Sequence, residues 1–291
     1  MKQPTKAIIC AAGLGTRFLP QTKAMAKEML PIIDKPVIQL VVEELVSAGV
    51  TDIIIVTDST KRSIEDHFDR SDELEKALCE KGKNDMAEAI KQVSELANFA
   101  YVRQKGTPKG NARPVINAQH LINDEPFFVF SADDFFTGKI PRAVQMKEAY
   151  NKTGGKPVIC LTEISPDDAD KYGVVAVKED LGSGLLKLSG VIEKPGAVNM
   201  PSKYASMMGY LLTPNILPVI SQEKVNKNGE IVIVDSINEL CQTEDIYGQI
   251  IDGVYRDSGD PIKYLRTVVE VALESEEYSA DFEKYLRNRL N

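Results

Sequence analysis

A glycine-rich, lysine-bearing run, AAGLGTRFLPQTKAMAKEMLP, occupies residues 11–31. Gly13 and Gly15 would let backbone N–H groups approach a phosphate or a base with no Cβ in the way. Arg17, Lys23 and Lys27 lie on the same excursion. Residues 1–36 carry six basic side chains (Lys2, Lys6, Arg17, Lys23, Lys27, Lys35) and two acidic ones (Glu28, Asp34), a local +4 in a chain of net charge −8. A cationic loop in an acidic protein suits a polyphosphate ligand. A turn with solvated lysines would explain an isolated G-x-G, but here an apolar strand, a long loop and the basic residues coincide. A dinucleotide fingerprint does not fit, because Phe18 stands where the third glycine of G-x-G-x-x-G belongs. No G-K-[ST] is present, so a Walker A loop does not fit either.

Two further groups end predicted strands. Asp133 and Asp134 follow FFVF, 127–130. In an open parallel sheet, ligands gather outside the carboxyl ends of the strands. A carboxylate there can hold Mg²⁺, which prefers oxygen ligands, waters and substrate phosphates. A helix cap is the plainer reading of such an aspartate. Glu193-Lys194-Pro195 closes another strand; a lysine there can clamp a phosphate as a point charge, and an exposed ion pair is the plainer reading.

The elements that must position these groups read as alternating strands and helices. KAIICAA (6–12) predicts a buried strand, and the loop 13–35 follows. Ile38, Val41, Val42 and Leu45 predict a helix over 37–48 closed by Gly49. The β-branched IIIV at 53–56 predicts a strand covered on both faces. Helices are expected at 60–69 and 72–97 with a break near Gly82, at 114–122 and at 140–152. Strands are expected at 99–103, 127–130 and 158–163, and mostly strand from 173 to 213. Asp260-Pro261 predicts a capped helix to about 274, and 280–290 a last amphipathic helix. The β-loop-α-β start implies a parallel sheet. The fold class is therefore α/β: a Rossmann-like, mostly parallel mixed sheet flanked by helices, with a β-rich insertion and C-terminal helices. The expected organisation is one catalytic domain over 1–260, its β-rich part about 165–235, with helices of 261–291 packed on it.

Composition narrows the function. The acidic balance argues against nucleic-acid binding through bulk charge. Cys10, Cys79, Cys160 and Cys241 are scattered without a CxxC pair, and His67 and His120 are the only histidines, so a zinc cluster is excluded. Dispersed cysteines read as reduced and cytoplasmic. No apolar stretch approaches a membrane span, and the N-terminal apolar run is too short for a signal peptide.

The run GLGTR…P.TKA..KEMLP…DKP resembles bacterial UTP–glucose-1-phosphate uridylyltransferases of the sugar nucleotidyltransferase superfamily. The likeness continues through VTDSTKRSIEDHFDRSDELE (56–75), VRQ (102–104), YGVV (172–175), VIEKP (191–195) and DSG (257–259). It implies a reaction joining UTP and α-D-glucose 1-phosphate to give UDP-glucose and pyrophosphate. It implies that Ala11, Ala12, Gly13, Gln104 and Gly110 face the uracil, that Gly15, Thr16, Arg17 and Lys27 face the phosphates, and that Glu28 orders the nucleotide side. Asp133 and Asp257 would hold Mg²⁺. Gly173 and Glu193 would take the sugar and Lys194 its phosphate, with Arg17, Lys27 and Lys194 neutralising the transfer. Family members are commonly dimers or tetramers, so a homodimer or homotetramer is expected.

Three segments depart from the family pattern. KGNARPV (109–115) stands for K-G-L-G-H-A-V, though its segment 99–122 has Arg103, Lys105, Lys109 and Arg113 and no acidic group, so it can still face phosphate. NGEIVIVD (228–235) stands for G-D-E-I-Q-L-T-D, with Val232 and Val234 replacing hydrogen-bonding groups on the sugar side. Gly209-Tyr210 lacks the arginine of G-R-Y. The alternatives are a thymidylyltransferase, a uridylyltransferase for another sugar 1-phosphate, a weakened regulatory paralogue, and a glycosyltransferase of the related nucleotide-diphosphosugar fold.

Overall fold

The computed structural model describes residues 1–290. Its strands are β1 (Lys6–Cys10), β2 (Pro31–Ile32), β3 (Lys35–Pro36), β4 (Asp52–Thr57), β5 (Asn98–Arg103), β6 (Phe127–Ser131) and β7 (Asp134–Thr137). They continue with β8 (Val158–Glu163), β9 (Gly173–Asp180), β10 (Leu185–Glu193), β11 (Tyr204–Leu212), β12 (Ile246–Ile250) and β13 (Val254–Asp257). Among the described residues nine of them form one mixed sheet in the order β5-β4-β1-β6-β11-β8-β12-β10-β9. The first four are parallel neighbours. Antiparallel pairing begins where β11 meets β6 and dominates the β9–β11 half, with β8–β12 parallel within it.

Period-two alternation explains why the parallel strands are apolar throughout. Phe128 and Phe130 face one core with Ala7, Ile9, Ile53, Ile55 and the helix residues Val41 and Leu45. Phe127 and Val129 face the other, with Ile8, Ile54, Val56 and Val115. β1, β4 and β6 each bury both faces, as a sheet with helices on each side requires, while β5 at the edge is only half-buried.

The helices occur as Val37–Ser47, Arg62–Phe68, Asp72–Glu80, Asn84–Ser94, Arg113–Ala118, Arg142–Lys152, Pro261–Glu274 and Ser279–Leu290, close to the expected spans. Gly49 follows the first in the left-handed region (φ +85°). The Asp260 carboxylate accepts from the amides of Ile262 and Lys263 and caps the helix Pro261–Glu274 at its first turn. Ile216–Ile220 and Ile233–Leu240 are additional helices. The expected loop 13–35 is a series of 3₁₀ turns ending in the β2–β3 hairpin. No helix among the described residues is long and apolar enough to cross a membrane.

The register of the parallel strands sets the site. Cys10 stands beside Val56 of β4 and Ser131 of β6. The segments after β1, β4, β5 and β6 therefore all leave the sheet on one rim.

Candidate active site

On that rim the 11–31 loop is fastened from below. The Lys61 ammonium donates to the Ala11 carbonyl at 2.7 Å and to both Glu28 oxygens at 2.7 and 2.9 Å. Glu28 and Lys61 are both buried. Burial raises the Glu28 pKa and lowers that of Lys61, each restrained by the charge of the other. Glu28 is thus an internal brace of the loop. Ala11 is fully buried, so it forms the floor under the loop. Gly15 takes a left-handed conformation (φ +65°) and its carbonyl accepts from the Thr22 hydroxyl at 2.7 Å.

Lys27 passes over Gly13 and its ammonium meets the Asp133 carboxylate. Burial alone would lower the Lys27 pKa; Asp133, then Glu28, outweigh it and the net shift is upward. Burial alone would raise the Asp133 carboxyl; Lys27 outweighs it and holds the group below the usual carboxylate range. The pair is therefore charged. Ser131 also donates to Asp133.

Asp257 reaches Asp133 through a short antiparallel ribbon in which β13 pairs with β7 and Asp257 stands opposite Asp134. Ser258 ties the join, its amide and hydroxyl donating to the Asp133 carbonyl at 3.1 and 2.6 Å. A side chain on Gly259 would begin 3.1 Å from Asp133 Oδ2, 3.2 Å from Asp257 Oδ1 and 3.9 Å from Arg17 Nη1. Glycine thus leaves open a cradle between two carboxylates and a guanidinium. Arg17 lies across it and donates to the Gly259 carbonyl at 3.3 Å. The donor set fits Mg²⁺, which binds through one or two carboxylates and completes its shell with waters and substrate phosphates. Among the described residues no group of three or more His, Cys, Asp or Glu forms a closed cage.

Asp134 does different work. It is buried and accepts from Arg142 Nη1 at 2.9 Å, while Glu44 takes the other guanidinium edge at 3.1 and 2.9 Å. Burial, with smaller additions from Asp133 and Asp257 and against the pull of Arg142, pushes the Asp134 carboxyl up to about 7. Cys10, beneath the rim, is pushed up to about 12 by burial and by Asp133 and Asp134. It stays a thiol and is no nucleophile.

Two cavities flank this seam. One of about 390 Å³ is lined by Ala12, Gly13, Leu14, Asp58, Gln104, Lys109, Gly110 and Asn111. The other, about 180 Å³, is lined by Asn111, Tyr172, Gly173, Glu193, Lys194, Ser206, Tyr210 and Val234, among others. Asn111 borders both. Its side-chain Oδ1 accepts from the Ile233 amide at 2.9 Å, which seats it between the two. In the second cavity the Gly173 backbone lies close enough to Glu193 that a Cβ would begin 3.2 Å from Oε2. Lys194 sits in the left-handed region (φ +48°) with its amide donating to the Tyr172 carbonyl at 3.2 Å. A larger cavity of about 600 Å³ lies between the β2–β3 hairpin and the helix Pro261–Glu274, and holds none of the expected site residues.

The structure thus gathers Ala12, Gly13, Gln104 and Gly110 on one side, Gly173, Glu193 and Lys194 on the other, and Lys27, Asp133 and Asp257 between. Gly15, Thr16 and Arg17 occupy the outer arm of the loop and line neither cavity. One expectation is corrected. Arg113 does not face phosphate: it is buried and forked onto Glu223 at 3.0 and 2.9 Å. It opens the helix Arg113–Ala118, and its side chain staples that helix to the 223 turn. Val234 lines the second cavity, whereas Val232 is buried away from it. Lys61, Asn111, Tyr172 and Lys263 belong to the site and were not singled out from sequence. Lys61 and Tyr172 lie inside the family-like runs 56–75 and 172–175, and Asn111 inside the altered 109–115 loop, but none of these runs marks the residue itself; nothing in the sequence marks Lys263.

A family model described as nucleotidyl transferase matches residues 6–273. UTP–glucose-1-phosphate uridylyltransferase 2 of Staphylococcus saprophyticus is 42% identical over 287 residues, covering 99% of this chain and 98% of that protein. The UTP–glucose-1-phosphate uridylyltransferase of Bacillus subtilis is 40% identical over 291 residues, covering 100% and 99%. A solved structure described as UTP-bound UGPase from Acinetobacter baumannii superposes with a TM-score of 0.89 at 32% identity, covering 98% of this chain and 99% of that one.

Proposed function

The chain belongs to the nucleotidyl transferase family, and from that premise we propose that it makes UDP-glucose and pyrophosphate from UTP and α-D-glucose 1-phosphate. The observation that carries this reading is the pair of cavities meeting at Asn111, flanking a cradle of two carboxylates beside a cationic loop. Uracil belongs in the cavity of Gln104 and Gly110, over Ala12 and Gly13 and above the floor made by Ala11. The triphosphate runs along Gly15 and Thr16 toward Arg17 and Lys27. The sugar belongs beside Gly173 and Glu193, whose carboxylate accepts from sugar hydroxyls, with Lys194 on the sugar phosphate.

The sugar phosphate is already an anionic nucleophile near neutral pH, so no general base is needed. One of its oxygens bonds to the α-phosphorus as the bond to the β-phosphate bridging oxygen breaks, and pyrophosphate leaves in line. Catalysis consists of positioning two polyanions and neutralising their charge. Lys194 neutralises the attacking phosphate, and Arg17 and Lys27 the departing one. Glu28 and Lys61 hold the loop that carries Lys27. Asp133 and Asp257 would hold Mg²⁺, which supplies charge neutralisation to the phosphates when bound. The C-terminal helices act with the catalytic unit, and a homodimer or homotetramer belongs to the same proposal, checked by light-scattering mass.

The test is pyrophosphate release with Mg²⁺ and glucose 1-phosphate, comparing UTP, dTTP, CTP, ATP and GTP. Rapid release with UTP alone is expected, and preference for dTTP would favour a thymidylyltransferase. Release without glucose 1-phosphate, or none with any nucleotide, overturns the proposal. The Asp133→Asn variant should fold normally and lose most turnover.

A further inference from the structure

Lys263 lies on the first turn of the helix Pro261–Glu274, directly above the second carboxylate of the cradle. Its ammonium donates to Asp257 Oδ2 at 2.6 Å and to the Tyr172 hydroxyl at 3.3 Å, and lies 5.8 Å from the Tyr172 ring centre. The other Asp257 oxygen accepts from the Gly259 amide at 2.8 Å. On Asp133, one oxygen accepts from Ser131 and the other from Lys27. All four carboxylate oxygens of the cradle are therefore supplied by the chain itself. Two carboxylates face two ammoniums, with the Arg17 guanidinium beside them, so the chain's own cations already match the carboxylate charge before any divalent cation arrives.

The two lysines are not equivalent. Lys27 belongs to the loop assigned above to the triphosphate, so an incoming phosphate gives its ammonium a new partner. Lys263 stands on the opposite side, on a helix turn, and its side chain is 37% exposed. A cavity of about 240 Å³ adjoins it, walled by Tyr172, Arg256, Arg266 and Thr267 among others, which gives the flexible lysine stem room to leave Asp257. Its short contact and its position favour a cation that is held at the carboxylate but can be displaced.

We propose that Lys263 is a tethered competitor for the divalent cation, occupying Asp257 until the metal displaces it and so setting the metal concentration at which the site fills. The proposal rests on the metal reading of Asp133 and Asp257. A neutral side chain at 263 removes both the competing donor and a like charge beside the incoming ion, so metal should bind about ten-fold more tightly.

The experiment titrates Mn²⁺ into the full-length protein at a fixed concentration of UDP-glucose without pyrophosphate. Free Mn²⁺ is read from its electron paramagnetic resonance signal against a protein-free blank containing the same UDP-glucose. Nothing turns over, so the readout is binding alone. Lys263→Met should bind Mn²⁺ about ten-fold more tightly than the unaltered chain, and Lys263→Arg, which keeps a cation there, should stay within about two-fold of it. Asp133→Asn and Asp257→Asn should each weaken binding. If those two weaken it but Lys263→Met binds no more tightly than the unaltered chain, the competitor role is overturned and the metal reading stands. If neither aspartate variant weakens Mn²⁺ binding, the metal reading falls and the proposal falls with it.

Discussion

Replacing Gly110 by alanine tests the base-side cavity at its tightest point. Gly110 has φ +136°, and an added Cβ would stand 2.0 Å from the Ile231 carbonyl oxygen and 2.7 Å from both the carbonyl carbon and the amide nitrogen of that residue. None of these atoms can rotate out of the way. Since carbon and oxygen do not approach below about 3 Å, the two segments must part by about 1 Å. They are held together by the Ala112 amide on the Ile231 carbonyl at 3.2 Å and the Ile231 amide on the Lys109 carbonyl at 2.9 Å. Straining those two bonds costs about 1–3 kcal/mol of stability, a fall in melting temperature of several degrees for a chain this size. The functional cost is larger. Lys109, Gly110 and Asn111 wall the base-side cavity, and a displacement of about 1 Å there corresponds to about 10²-fold in rate. Steady-state pyrophosphate release should show kcat/KM for UTP falling by about 10²-fold, with KM for glucose 1-phosphate changing less. A thermal melt establishes that the variant is folded. A folded Gly110→Ala protein with kcat/KM for UTP within about three-fold of the unaltered chain would refute the placement of the base beside this loop.

Other outcomes follow from the same geometry. Lys61→Met leaves Glu28 buried without its partner and should cost about 3–5 kcal/mol in urea unfolding; a loss below about 1 kcal/mol would mean the brace is not an ion pair. Arg142→Met strands two buried carboxylates, Glu44 and Asp134, and should destabilise by a similar amount, about 3–5 kcal/mol, read from the shift in urea midpoint. Burial holds the His67 pKa below 6.5, so its contribution is fully present above that pH and is lost as pH falls toward the folded-state value. Stability measured from pH 7.5 to 5.5 should therefore decline less in His67→Gln than in the unaltered chain, and parallel slopes would contradict it. Chelation by EDTA should abolish pyrophosphate release, and added Mg²⁺ should restore it; full activity in EDTA would remove the metal from the reaction.

The inner parallel strands are legible because they bury both faces and so read as unbroken apolar runs, IIIV and FFVF above all. The helix Val37–Ser47 was legible from spacing and from Gly49, and the helix at 261 from its Asp260 cap. β7, β12 and β13 were not, because their pairing is decided by partners far along the chain. The glycine loop and its lysines point to phosphate chemistry from the sequence alone. Asp257 did not: nothing local ties it to Asp133, and only the family likeness suggested it before the β7–β13 ribbon brought the two together. Lys61 and Lys263 look like ordinary surface lysines in sequence, and their partners at positions 28 and 257 appear only in three dimensions. Arg113 misled for the converse reason. A basic residue in a loop rich in basic residues reads as a phosphate ligand, but Glu223 neutralises it from 110 residues away.

The β7–β13 ribbon runs for only four pairs, from Asp134 opposite Asp257 to Thr137 opposite Val254. In such a ladder, adding one residue to a strand sends every side chain beyond it to the opposite face. A single-residue insertion there would turn one carboxylate out of the cradle while leaving every named side chain in the sequence and the nine-stranded sheet intact. The turn at Asn226–Gly229, closed by its own hydrogen bonds and with open space around Gly229, could lengthen without that effect. On the metal reading proposed above, chain length in this short segment is thus as much a requirement for activity as the identity of the acids it aligns.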